Sequence, residues 1–259
     1  MHKFDIAILG SGWLGLPLVQ HFNQQAKRVA ASTRQLMRFP QIEAAGGLPF
    51  LIDIETSNDR GDFLNAPILI INITSKNTDA FAYLVEQIVK SAVEKVLLIS
   101  SSSVYQNLQR VVTEDEGAEN PVSPLFQIEQ LFQQSDGFET TVLRCSGLID
   151  SRRHPGQFFR HGKQVKQPDA PVNLIHLDDV IGIIDSIIRQ QTWGQVFNAS
   201  ANTHPTKREF YQYARSLLGM EAPDFAESDE QPFKIVSNEK VKQLLGYQLQ
   251  HPDLLKIKL

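Results

Sequence analysis

The chain has 259 residues, 42% hydrophobic and 21% charged, with fifteen Gly and thirteen Pro, which excludes disorder, collagen and coiled coil as descriptions of the whole. Lys and Arg number 25 against 29 Asp and Glu, a formal charge of -4, and this excludes the basic excess of a nucleic-acid-binding face. Cys145 is the only cysteine, no apolar run approaches the ~18 residues of a membrane span, and the apolar run before the first glycines is only Ile6 to Leu9, too short for a signal-peptide core, so a soluble, cytoplasmic protein with no membrane partner is expected.

Short β-branched apolar runs at residues 4–9, 28–32, 68–73, 96–99, 140–143 and 173–175 alternate with longer amphipathic stretches. Parallel strands are buried on both faces and need long crossovers, so this alternation predicts a parallel sheet. Residues 14–25, 80–91 and 125–134 carry apolar side chains at helical spacing and supply the crossovers of a doubly wound α/β layer. Residues 150–171 lapse into a Gly, Pro and basic-rich excursion before apolar character returns at Val172. Past Phe197 the spacing predicts helices over residues 207–218 and 237–245, the second opened by Ser237 and closed by Gly246.

Gly10-Ser11-Gly12-Trp13-Leu14-Gly15 follows the first apolar run directly and opens a helical pattern, the context in which such a loop cradles a dinucleotide. Gly10 permits the tight turn, Gly12 leaves room for a pyrophosphate, and Gly15 lets the helix pack on the strand. Backbone N–H groups over Ser11, Trp13 and Leu14 then face the phosphates. The second run ends at Thr33 and Arg34, where an NAD site places a carboxylate against the ribose diol; a hydroxyl and a guanidinium suit a 2′-phosphate instead. NADP is therefore the expected cofactor, with NAD second. Asp53 is placed at the adenine edge, and Thr74 completes the cofactor set.

Further stretches follow in a recognisable order: Ile99-Ser100-Ser101-Ser102-Ser103-Val104-Tyr105, then Leu143-Arg144-Cys145-Ser146-Gly147, then Asn173-Leu174-Ile175-His176-Leu177-Asp178-Asp179-Val180, then Phe197-Asn198-Ala199-Ser200, and finally Leu244-Leu245-Gly246-Tyr247. Across essentially the whole chain this resembles the extended short-chain dehydrogenase/reductases, the epimerase/dehydratase group acting on nucleotide sugars, with the HLDDV segment as its most specific part. The resemblance implies a Rossmann-type parallel sheet over residues 1–149 and 172–199, with residues 150–171 and 200–259 forming a small C-terminal substrate-binding subdomain. The glycine loop is of the atypical GxGxxG kind, with Leu9 where typical members carry their first Gly. The loop alone also resembles NADP-dependent β-hydroxyacid dehydrogenases and ketopantoate reductase, but their all-helical C-terminal half conflicts with the strands returning after residue 170.

The family's redox chemistry uses a Tyr and a Lys four residues on, the Lys lowering the phenol pKa. Four positions after Tyr83, Tyr105, Tyr211, Tyr213 and Tyr247 stand Gln87, Gln109, Arg215, Leu217 and His251, so the pair is missing; alignment with the family puts Pro121 and Leu125 in its slots. The resemblance carries over Ser101 as the hydroxyl that bonds the reacting oxygen, with Ser102 and Ser103 beside it, and leaves Tyr105 as the remaining acid/base candidate. Arg152 and Arg153 lead a basic stretch with His154, Arg160, His161, Lys163 and Lys166, and are expected to hold an anionic small-molecule substrate through forked hydrogen bonds. His176, Asp178 and Asp179 are expected to tie strand to helix, one aspartate as N-cap, with no metal, and Cys145 to be a core residue.

Two functions fit these residues. One is an NADP-preferring oxidoreductase or epimerase-like enzyme acting on a nucleotide sugar or similar anionic substrate with non-standard acid/base residues. The other is a catalytically inactive NAD(P)-binding or redox-sensing protein of the same fold. A monomer or a homodimer is expected, the latter pairing helices 80–91 and 125–134 through Phe126 or Phe132.

Overall fold

Four consecutive residues with every side chain buried, Ile6, Ala7, Ile8 and Leu9, have only one stable place in an α/β protein, the middle of a sheet covered on both faces. The computed structural model, which describes residues 2–56, 60–160, 162–227 and 232–259, puts them there. In chain order the elements are β1 (Ile6–Leu9), α1 (Gly15–Gln24), β2 (Val29–Thr33), α2 (Phe39–Ala44), β3 (Gly47–Leu51), β4 (Ile68–Ile71), α3 (Thr78–Val89), β5 (Lys95–Ser101), β6 (Arg110–Val112), α4 (Pro124–Gln133), β7 (Glu139–Cys145), β8 (Gly147–Ile149), β9 (Leu174–His176), α5 (Leu177–Gln190), β10 (Val196–Ala199), α6 (Lys207–Ser216), β11 (Lys234–Val236) and α7 (Glu239–Leu245).

Seven strands form one parallel sheet in the order β10-β7-β5-β4-β1-β2-β3, the Rossmann-type doubly wound arrangement. The chain steps outward from β1 to β3 and returns to lay β4 on the other side of β1. The strand order therefore reverses at the carboxyl ends of β1 and β4, where ligands of open α/β sheets bind.

Several expected elements change on folding. The run at 173–175 forms β9, but it pairs with β8 in a separate two-stranded sheet rather than joining the main one. The strand β3 was not expected: Gly47 and Pro49 break up its apolar run, and the edge of the sheet, where β3 lies with Leu48 and Leu51 exposed, tolerates them. The helix α5 starts at Leu177, so Asp178 and Asp179 fall in its first turn instead of at its N-cap. Gly246 closes α7 in the left-handed conformation at φ 58°, but Asn238, not Ser237, is the N-cap residue. Phe132 is buried against Phe81 and Phe138, each ring centroid 6.0 Å away, and offers no exposed face for a partner; Phe126 is half-buried.

The chain folds into two compact units. The first unit comprises Met1–Ser101, Asn120–Leu143 and Ile187–Val196. Its core is rich in Phe, including Phe4, Phe63, Phe81 and Phe132, and it holds both tryptophans, Trp13 half-buried and Trp193 buried. The second unit comprises Ser102–Glu119, Arg144–Ser186 and Phe197–Leu259. Its core joins Ile149, Val172 and Leu174 to Phe210 and Ala214 of α6, and to Leu254 and Ile257. Cys145 is a buried, free thiol of this unit, and burial pushes its pKa up to about 12. Among the described residues no helix is long and apolar enough to cross a membrane.

Candidate functional site

The glycine loop joins β1 to α1 within the first unit, and two residues of neighbouring strands fix its shape. Ser32, near the end of β2, accepts the Gly10 N–H on its Oγ and the Ser11 N–H on its carbonyl, both at 2.9 Å. Asn72, just past β4, donates from Nδ2 to the Gly10 carbonyl at 3.2 Å. Gly10 has φ +102° and its missing Cβ would lie 2.4 Å from the Asn72 carbonyl oxygen, so only glycine fits. A Cβ on Gly15 would lie 2.0 Å from the Gly10 carbonyl oxygen, which is the close helix–strand approach expected from the sequence.

The loop faces a cavity of about 330 Å³ bordered by Gly10, Ser11, Gly12, Thr33, Arg34, Asp53 and Thr74, seven of the expected cofactor residues. Trp13, Leu14 and Gly15 do not border it; Leu14 is buried in the core and Gly15 packs beneath the loop. The residues present fit a dinucleotide on two counts. A Cβ at Gly12 would meet nothing within 4 Å, so the space above the loop is open where a pyrophosphate needs it. Among the described residues Ser11 Oγ is buried without a hydrogen-bond partner, a cost of about 1–3 kcal/mol unless a ligand oxygen satisfies it.

At the β2 end of the cavity, Thr33 Oγ1 accepts the Gln35 N–H at 3.2 Å, and the exposed Arg34 guanidinium lies 4.0 Å from Asp53. Arg38 also borders the cavity and donates from Nη2 to the Ser11 carbonyl at 3.0 Å. Sequence reasoning missed Arg38, Ser32 and Asn72. Arg38 lies beyond the motif in a short 3-10 turn (Leu36–Arg38), and Asn72 is 62 residues from the glycine it holds.

Ser101 ends β5 half-buried, and the chain turns through Ser102–Val104, with Ser102 buried and Ser103 exposed. Pro121 and Leu125, the two positions expected to stand in the slots of a Tyr and Lys pair, lie before α4 and within its first turn. The helix instead presents a buried carboxylate, Glu129, which accepts from Ser100 Oγ at 2.5 Å.

Tyr105 belongs to a buried polar network of the second unit. Its hydroxyl donates to Asn198 Oδ1 at 2.9 Å and accepts from Arg144 Nη1 at 2.7 Å, and Arg144 donates also to Glu119 Oε1 at 2.5 Å. Glu114 Oε1 accepts the Asn198 N–H at 2.8 Å. Tyr105 is 3% exposed, and burial holds its phenol well above the ordinary range despite the nearby Arg144. A phenol held this way resists ionisation near neutral pH, and its proton is committed to Asn198.

Asp150 organises the basic stretch. Its carboxylate accepts from Arg152 Nε at 3.1 Å and from the Arg153 N–H at 2.6 Å, while the Arg153 guanidinium lies over the Phe158 ring at 5.9 Å. His154 is buried, its Nδ1 accepting the Gly156 N–H, and desolvation lowers its pKa, so it adds no charge at neutral pH. Arg152, Arg153, Arg160, Lys163 and Lys166 are exposed; His161 lies outside the described residues.

No protein-family model matches the chain. In sequence it is similar to Protein YeeZ of Escherichia coli strain K12, at 30% identity over 266 residues covering 96% of each protein. In structure it is similar to a functionally unknown conserved protein from Silicibacter pomeroyi, with a TM-score of 0.83 and 21% identity over 98% of this chain and 96% of that one. It is also similar to UDP-glucuronic acid 4-epimerase from Bacillus cereus in complex with NAD, with a TM-score of 0.78 and 16% identity over 97% of this chain and 95% of that one. Other structures of the same fold are described as an NAD-dependent epimerase/dehydratase and as a short-chain dehydrogenase/reductase superfamily protein.

Proposed function

This chain belongs to the family of Protein YeeZ and has the fold of the epimerase/dehydratase group of short-chain dehydrogenase/reductases, and from that premise we propose that it binds NADP(H) at the glycine-loop cavity and acts on a nucleotide sugar or similar anionic substrate. The observation that carries the reading is the cavity itself, where an open glycine cradle, an unsatisfied Ser11 hydroxyl and two arginines, Arg34 and Arg38, meet. Gly12 gives the pyrophosphate its room and Ser11 Oγ donates to it, while the positive end of the α1 dipole favours its charge. Arg34 and Thr33 take the 2′-phosphate, and Arg38 both holds the loop through the Ser11 carbonyl and adds positive charge. Asp53 lies at the adenine end, and Thr74 borders the β4 side.

The nicotinamide supplies hydride transfer. Ser101 is the group assigned to the substrate's reacting oxygen, and Arg152 and Arg153 the groups assigned to its anionic part. Tyr105 is a positioning residue in this reading, since its hydroxyl is already shared between Asn198 and Arg144. The same observation favours a second reading, in which the protein binds the dinucleotide without turnover and reports redox state.

Titration with NADPH, NADP⁺, NADH and NAD⁺, followed by Trp13 fluorescence and calorimetry, tests the proposal. NADPH is expected to bind at least tenfold more tightly than NADH, and Arg34→Ala to remove that preference while leaving NADH affinity in place, as loss of one charge-assisted contact of about 1.5–3 kcal/mol requires. Arg38→Ala weakens both, because it also loosens the loop. Equal affinity for the two coenzymes rejects the NADP assignment, and no binding of either rejects the whole reading. Turnover of a nucleotide sugar or carbonyl compound that is lost in Ser101→Ala establishes the enzyme; binding with no turnover across such a screen establishes the second reading.

A further inference from the structure

The segment after α7 brings a histidine back to the start of α5, where the sequence alone shows only His176 and Asp178. Within the second unit, Asp179 is fully buried in the first turn of α5 and accepts the backbone N–H groups of Gln250 and His251, at 2.6 and 3.0 Å, and the Tyr247 hydroxyl at 3.2 Å. This clamp sets the His251 ring 3.9 Å from the ring of His176, the last residue of β9. A single carboxylate oxygen faces both rings: Asp178 Oδ2 is 3.2 Å from His251 Nε2 and 3.3 Å from His176 Nδ1.

We propose that His176, Asp178 and His251 form a binding site for one divalent transition-metal ion of the zinc class, with its remaining coordination position open to water. The His251 Nε2 to Asp178 Oδ2 contact at 3.2 Å is a long hydrogen bond, against about 2.7–2.9 Å for a charge-assisted one, and the His176 Nδ1 to Asp178 Oδ2 separation is 3.3 Å. Two ligand atoms of a tetrahedral ion with bonds of about 2.0–2.1 Å stand about 3.3 Å apart, which is the spacing observed on both sides of Asp178 Oδ2. The three donor atoms lie within 4.8 Å of one another, and two imidazoles with one carboxylate are a donor set suited to zinc rather than to magnesium or calcium. His176 Nδ1 also accepts the Asp178 N–H at 3.2 Å, a long bond whose lone pair the ion takes over.

The shells around the donors support the assignment. Asp179 orients the His251 backbone without competing for its ring, as outer partners of metal ligands do. His176 is 8% exposed and held in place, whereas Asp178 is half open to solvent, which gives the ion a route in. The bound ion links the β9–α5 junction to the segment at residue 251. The site owes nothing to the dinucleotide reading and stands or falls separately from it.

The test uses the full-length protein, stripped with a chelator and dialysed, then titrated with zinc sulfate by calorimetry and with Co²⁺ by visible absorption. One Zn²⁺ per chain, a tetrahedral Co²⁺ spectrum and a raised Tm are expected. Asp178→Asn and His251→Gln each weaken binding tenfold or more with an unchanged circular dichroism spectrum; both side chains are partly exposed, so the fold survives either change. Absence of stoichiometric binding overturns the site, as does zinc affinity that is the same in either variant as in the unaltered protein.

Discussion

Gly12 and Gly15 stand three residues apart on one loop, yet a methyl group added at each has opposite consequences. At Gly15 it would lie 2.0 Å from the Gly10 carbonyl oxygen, so Gly15→Ala is expected to destabilise the protein by about 1–3 kcal/mol, seen as a lower urea midpoint. At Gly12 it meets open space, so Gly12→Ala keeps that midpoint and lowers dinucleotide affinity instead. An unchanged affinity would place the pyrophosphate elsewhere. A second prediction at this scale concerns Glu114, whose buried carboxyl is lifted above the ordinary glutamate range by desolvation, against the opposing bond from the Asn198 N–H. The folded state then binds this proton more tightly than the unfolded chain does. Stability from this group is present below the unfolded value and is lost as pH rises through the raised folded one. Glu114→Gln keeps an acceptor for Asn198 and removes the titration, so its urea midpoint should gain on the unaltered protein as pH rises from the ordinary glutamate range through the raised folded-state value. A gap that does not widen with pH rejects the assignment. The glycine loop was legible because its message is contained in six consecutive residues. Arg38, Ser32 and Asn72 were not, because their roles come from the β1–β2 and β1–β4 pairings that bring them to the loop.

Strand and helix positions show the same division between local and tertiary information. The runs at 68–73 and 140–143 became β4 and β7 with ends shifted by no more than two residues, because a strand buried on both faces writes its own limits as an apolar run. The three-residue strands β6, β8, β9 and β11 pair only in two-stranded sheets, and nothing in three residues specifies a partner. The helix α6 was legible, and its start is fixed by a capping box in which Thr206 Oγ1 accepts the Glu209 N–H and the Glu209 carboxylate accepts the Thr206 N–H. Thr206→Ala should cost about 1 kcal/mol in urea unfolding. A larger loss is expected where β7 carries Arg144: Arg144→Met leaves Glu119 buried without its cation and should cost about 3–5 kcal/mol, whereas Glu119→Gln combined with Arg144→Met recovers part of it. A double-variant loss equal to the sum of the two single losses would show that the pair is not coupled.

At the scale of the whole molecule, each compact unit is assembled from three separate stretches of chain, so the backbone passes from one unit to the other five times. No single cut separates one whole unit from the other. Aromatic and thiol side chains are divided between the units in a way that lets this be examined without any label being engineered. Both indoles, Trp13 and Trp193, belong to the first unit, and the only thiol, Cys145, belongs to the second, protonated and shielded in the native state by burial. Fluorescence in a denaturant gradient therefore follows one unit, and pulse alkylation of the thiol follows the other. With five backbone passages joining them, the two curves are expected to coincide; thiol modification at denaturant concentrations that leave the fluorescence unchanged would reveal a second unit that opens by itself. The molecule thus carries its own paired reporters of folding cooperativity.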